Sequence, residues 1–140
     1  MQRGRLVLLA SLLAFGCASE SMLAYSPVKE KTKLSEDVLF TATRRSLDAN
    51  RFIAIESSDP FTLTTREKEV FISSVPRLAY RYAFIVTTQG GTLSIRASCV
   101  QNSAMSREKY EDCGEQRPER VIREQKALHA DILKRARQLN

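Results

Sequence analysis

Tyr80-Arg81-Tyr82-Ala83-Phe84-Ile85-Val86, then Gln89-Gly90-Gly91, then Leu93-Ser94-Ile95-Arg96-Ala97-Ser98-Cys99 is the stretch on which the fold turns. Its side chains alternate with the period of a strand. Tyr80, Tyr82, Phe84 and Val86 share one face, while Arg81, Ala83 and Ile85 share the other. Glycine tolerates positive φ, so Gly90-Gly91 reads as the turn of a hairpin. The returning strand sets Leu93, Ile95, Ala97 and Cys99 against a polar row of Thr92, Ser94, Arg96 and Ser98. A sheet that is apolar on one face requires a second layer to cover it.

On the N-terminal side the period is helical. Ser35 can cap a helix over about residues 35–49, with Glu36 and Asp37 in the first turn, where the helix dipole favours negative charge. Leu39, Ala42, Thr43, Ser46 and Leu47 form its inward stripe, and Asn50 can end it in the left-handed conformation. Phe52 to Glu56 and Phe61 to Arg66 alternate as a hairpin around Ser57-Ser58-Asp59-Pro60. Glu67, Lys68 and Glu69 are a charged tip or a strand extension, and Val70-Phe71-Ile72 is a short apolar return before Pro76. On the C-terminal side a polar loop, residues 101–116, leads to a helix over about 118–138. Its stripe is Val121, Gln125, Leu128, Ile132, Arg135 and Leu139. The expected fold is therefore α+β: a helix, a four-stranded antiparallel meander sheet and a C-terminal amphipathic helix.

Few residues offer chemistry. His129 is the sole histidine and sits among Lys and Arg on the second helix, and the carboxylates are scattered through turns. No P-loop, dinucleotide fingerprint or metal-ligand spacing is present, so no enzyme and no cofactor is expected. Two other features invite function. Arg120, Arg123, Lys126, Lys134 and Arg137 lie away from the apolar stripe of the last helix, as a basic amphipathic surface for an anionic membrane or an acidic partner. Tyr80, Tyr82 and Phe84 gather aromatic mass on one strand, as the lining of a pocket for a lipid or small amphiphile.

The N-terminus carries an address. Arg3 and Arg5 precede an apolar run from Leu6 to Phe15 broken only by Ser11, too short for the roughly 20 residues that span a bilayer. Ala14-Phe15-Gly16-Cys17 resembles the lipobox of bacterial lipoproteins, which implies cleavage before Cys17 and lipidation of its thiol. Leu13 stands one position earlier than the usual lipobox leucine. Small residues at Ala14 and Gly16 also suit ordinary signal-peptidase cleavage, which would give a secreted protein. Ala18 and Ser19 lack the aspartate that, in the best-known sorting system, retains lipoproteins in the inner membrane. The resemblance thus implies an outer-membrane anchor facing the periplasm. Lipidation of Cys17 leaves Cys99 and Cys113 as an even pair, either a disulfide or two free thiols.

The domain plan is a signal peptide at 1–16, a lipidated cysteine with a flexible tether at 17–32, and one α+β domain at 33–140. Ser19, Glu20, Ser21, Ser26, Pro27, Lys29, Glu30 and Lys31 make the tether polar. Met22, Leu23 and Tyr25 can alternatively dock on the domain or at the bilayer. Loss of Arg3 and Arg5 lowers the formal charge from +6 to +4, too small a surplus to indicate nucleic acid. Residues 35–100 are also similar in arrangement to the helix-grip domains of barrel-assembly-machine lipoproteins, with Phe61-Thr62-Leu63-Thr64-Thr65 as their apolar-Thr-Thr segment. The resemblance transfers no site. The reading that follows is a lipid-anchored interaction or scaffold module with an envelope protein as partner, or alternatively a periplasmic amphiphile-binding module.

Overall fold

The computed structural model describes residues 20–74, 77–103 and 111–140. Helix α1 (Glu36–Ala49) begins where the sequence places it: Ser35 Oγ accepts the Val38 N–H at 3.3 Å, with Glu36 and Asp37 in the first turn. Leu39, Ala42, Thr43, Ser46 and Leu47 are buried. At its end the left-handed residue is Arg51 (φ 59°), whereas Asn50 has φ −92°. The Asn50 amide instead donates to the Ser46 carbonyl at 2.8 Å and to Asp131 Oδ2 at 3.1 Å, fixing it to the second helix.

Strands β3 (Ala54–Glu56) and β4 (Thr62–Thr65) form the expected hairpin, with Ile55 opposite Thr64. The charged Glu67-Lys68-Glu69 segment is a strand extension rather than a tip. β4 continues as β5 (Lys68–Ser74) along the same side of β6 (Arg77–Thr87), pairing Thr64 with Ile85 and then Lys68 with Tyr82. Thr65 Oγ1 accepts the Phe84 N–H at 2.9 Å where the ladder is interrupted. β7 (Thr92–Ser103) pairs with the other side of β6 along its length. The sheet therefore has seven strands instead of a four-stranded meander: β2 (Val28–Lys31) stands at one edge, in the order β2-β7-β6-β4-β3, with β5 added on β6 and β8 (Glu111–Asp112) on β7. The α+β class holds.

Helices α1 and α2 (Glu119–Leu139) both supply the core. Leu39, Leu47, Leu63, Leu93, Ile95, Val121, Leu128 and Ile132 are essentially inaccessible. Tyr80, Tyr82 and Phe84 belong to this core and not to a pocket wall, because the two helices close over their face of the sheet. Tyr82 and Phe84 rings meet edge to face at 5.8 Å, and Phe84 meets Phe52 at 5.5 Å.

The tether is the main correction. Residues 22–31 are two strands of the domain: β1 (Met22–Ala24) pairs with β9 (Gln116–Pro118), and β2 (Val28–Lys31) pairs with Thr92–Ile95 of β7. The alternative of Met22 and Tyr25 docking is the one realised, and the domain starts by residue 20 rather than 33. Polar composition misleads here because β2 is an edge strand held by main-chain hydrogen bonds and charged outside. Pro27 lacks an N–H and ends the ladder. Beyond it Tyr25 Oη accepts the Ala97 N–H at 2.6 Å, and Gln125, 1% exposed, donates to the Ile95 carbonyl at 2.7 Å. These two side chains satisfy the β7 edge that Pro27 leaves open.

The turn at Gln89–Gly91 secures this strand. Gly91 has φ 71°, its carbonyl accepts the Thr32 N–H at 3.0 Å, and a Cβ there would lie 2.8 Å from the Leu34 carbonyl oxygen. Gly90 also has positive φ, but a Cβ on it meets nothing within 4 Å. Gly90→Ala is therefore expected to cost about 1 kcal/mol of backbone strain, and Gly91→Ala roughly twice as much or more, read as the difference in thermal midpoint between the two variants.

Candidate functional site

The candidate surface is the outward side of α2, and its composition follows from how the helix divides its charges. Val121, Gln125, Leu128, Ile132, Leu133 and Ala136 are buried against the sheet and α1. The two acids within the body of the helix are half-buried and occupied. Glu124 Oε2 accepts the Tyr82 hydroxyl at 2.7 Å, its Oε1 accepts from Arg120 at 3.2 Å, and Lys68 lies 3.9 Å away. Asp131 Oδ2 accepts from Ser46 at 2.6 Å, from Arg135 at 2.8 Å and from Asn50 at 3.1 Å.

Electrostatics follow these contacts. Burial raises the Tyr82 phenol, and its bond to the Glu124 carboxylate raises it further, so Tyr82 stays neutral and donating. For Asp131 burial acts upward, but the bonds from Arg135, Ser46 and Asn50 outweigh it and hold the carboxyl below the usual aspartate value. A depressed folded-state pKa gives stability that is complete above the unfolded value of about 3.9 and is lost as pH falls through the folded one. Asp131→Asn is thus expected to flatten the loss of melting temperature below about pH 4 relative to the parent chain.

The charges that remain outside are basic but for Glu119. The exposed residues of α2 are Glu119, Arg120, Arg123, Lys126, Ala127, Ala130, Lys134, Arg137 and Gln138. All five sequence-predicted cations are among them. Arg120 is paired with Glu124, whereas Arg123, Lys126, Lys134 and Arg137 contact no acid among the described residues. Recurring at three- and four-residue intervals around Ala130, they lie on one side over about 21 Å of helix.

Contacts from the far end of the sequence fix the start of α2. Pro118 offers no side-chain cap. Its place is taken by Glu20, whose Oε1 accepts the Arg120 N–H at 2.8 Å, and by the Ser21 carbonyl, which accepts the Glu119 N–H at 2.8 Å. Sequence reading missed this, since a helix cap supplied from 100 residues away leaves no local signal. Leu23 on adjoining β1 is 42% exposed.

Cys99 and Cys113 stand at disulfide distance, Cα–Cα 5.7 Å, beside the β7–β8 pairing. Cys17 and the segment ahead of it lie outside the described residues. A further feature unseen in the sequence is Arg117 on β9, 7% exposed, which lies over the Tyr25 ring at 4.5 Å and donates to the Gln116 carbonyl at 2.9 Å. With Arg96 it borders an open cavity of about 520 Å³ whose other walls include Ile85, Ala97 and Val100. Among the described residues no three His, Cys, Asp or Glu could together hold a metal ion, and no helix is long and apolar enough to cross a membrane. No protein-family model matches this chain, and no curated protein matches it.

Proposed function

We propose that this protein is a non-enzymatic, lipid-anchored interaction module of the bacterial envelope, fixed through Cys17 to the outer membrane and facing the periplasm. The observation that carries the reading is the charge division of α2: its interior acids turn inward to Tyr82, Ser46 and Asn50, while four cations with no acid partner among the described residues stay outside. Exposed cations without acids add nothing to the fold, so an anionic partner is the natural use for them. The export segment and the lipobox-like Ala14-Phe15-Gly16-Cys17 supply the address. Intact mass of the mature protein from membrane and soluble fractions tests it. The expected result is a mature chain beginning at a lipidated Cys17 in the membrane fraction, lost on Cys17→Ser. An unmodified mature N-terminus at another residue would exclude the anchor and leave the secreted form.

The cavity at the β7 edge supports a second reading, an anionic-amphiphile binder. It combines the Arg96 and Arg117 guanidiniums with apolar walls from Ile85, Ala97 and Val100. This differs from a pocket lined by Tyr80, Tyr82 and Phe84, which the core fills. Native mass spectrometry of purified protein separates the readings, since a retained amphiphile lost on Arg96→Ala favours the binder.

A further inference from the structure

We infer that α2 lies flat on an anionic bilayer surface, with Arg123, Lys126, Lys134 and Arg137 against the head groups and the uncovered face of the sheet turned away from the membrane. The choice of bilayer rests on the anchored reading above; the surface itself does not. The inward acids leave the exposed part of α2 with a single acid, Glu119, against five cations. Ala127 and Ala130 lie between the cations as short side chains, so the longer Lys and Arg heads project beyond them to a flat surface. Neighbouring α1 exposes Arg44 and Arg45 as well as Asp37 and Asp48, with Arg44 paired to Glu56 of β3.

The covalent route to the anchor points the same way. Glu20 and Ser21 are bound to the first turn of α2, and only two residues, Ala18 and Ser19, stand between Glu20 and Cys17. At about 3.6 Å per residue an acylated Cys17 lies no more than roughly 11 Å from Glu20, about the depth of a head-group layer. The start of α2 is then held at the interface, with no tether long enough to lift it away. Leu23, exposed on β1 beside this end, suits the apolar boundary of that layer. A basic cluster against anionic head groups adds about 1 kcal/mol of attraction per cation to such an anchor. An acidic protein patch is the competing occupant, but the chain brings α2 to the membrane before any partner arrives.

The test uses residues 17–140 with Cys17→Ser, which contain the whole described fold, and co-sedimentation with vesicles of phosphatidylcholine alone or with phosphatidylglycerol added. Partition is expected to be roughly 100-fold stronger onto anionic vesicles and to fall about tenfold or more at high salt. Arg123→Glu with Lys134→Glu should abolish the preference without changing the melting temperature, since both side chains are exposed, whereas Ile55→Glu on the open sheet face should leave it intact. Equal partition onto both vesicles, or a preference that survives the charge reversal, would overturn the inference. The mass of the mature native chain reports on the anchor separately, so a lipidated Cys17 with no anionic preference sinks only the docking of α2.

Discussion

Phe84→Ala is expected to lower the stability of the domain by about 3–5 kcal/mol, enough to unfold much of the population at ordinary temperature. Phe84 is 0% exposed at the centre of β6, and its ring contacts both Phe52 and Tyr82 edge to face. Truncation removes the transfer free energy of a whole ring and leaves a cavity walled by rigid sheet and two helices, which relax poorly. Denaturant unfolding followed by circular dichroism reads the change. Ile55→Ala, at a site 50% exposed on the opposite face, sets the contrast and is expected to cost less than about 1 kcal/mol. Similar costs at the two positions would mean that the sheet faces are assigned the wrong way round.

Tyr25→Ala is the second large effect, expected at about 3 kcal/mol although this residue lies in a stretch with the composition of a linker. Its hydroxyl accepts the Ala97 N–H, and its ring lies under the Arg117 guanidinium. Removing it leaves a buried amide unpaired and an arginine without its stacking partner. Tyr25→Phe keeps the ring and removes only the acceptor, so it should recover more than half of the loss, leaving about 1 kcal/mol. A true tether would show neither cost. Thermal melts of the three chains, compared under oxidising conditions, distinguish the two cases.

Much of the architecture is legible where apolar side chains mark a period. The β6–β7 hairpin was visible from alternation and from Gly90-Gly91, α1 from Ser35 and its stripe, and α2 from a stripe in which buried Gln125 already occupied an inward position. The N-terminal strands were hidden for a physical reason. β2 turns only Val28 partly inward and exposes Lys29, Glu30 and Lys31, so its attachment is carried by backbone bonds that leave no hydrophobic periodicity. The full length of the sheet is hidden because charge at Glu67-Lys68-Glu69 resembles a turn, whereas Lys68 lies in β5 opposite Tyr82 with its ammonium over the Phe52 ring.

The candidate surface divided in the same way. Helical spacing alone sets Arg123, Lys126, Lys134 and Arg137 away from the apolar stripe, so the basic side was readable. Its isolation from acids is not, because Glu124 adjoins Arg123 and Asp131 lies three residues before Lys134, and only the tertiary contacts to Tyr82, Ser46 and Asn50 turn them inward. The aromatic cluster is ambiguous in sequence for the opposite reason. Tyr80, Tyr82 and Phe84 share a face in any strand, and only the two helices packed on it decide between a pocket and a core.

Residues 22–31 are built into the folded domain through β1 and β2, and amide hydrogen exchange measures this. The Tyr25 N–H bonds to the Glu115 carbonyl at 2.8 Å and the Thr32 N–H to the Gly91 carbonyl at 3.0 Å. Both amides, with those of β2, are expected to exchange on the timescale of the neighbouring β7 ladder. Exchange of residues 22–32 at the rate of an unstructured peptide while β7 stays protected would contradict it.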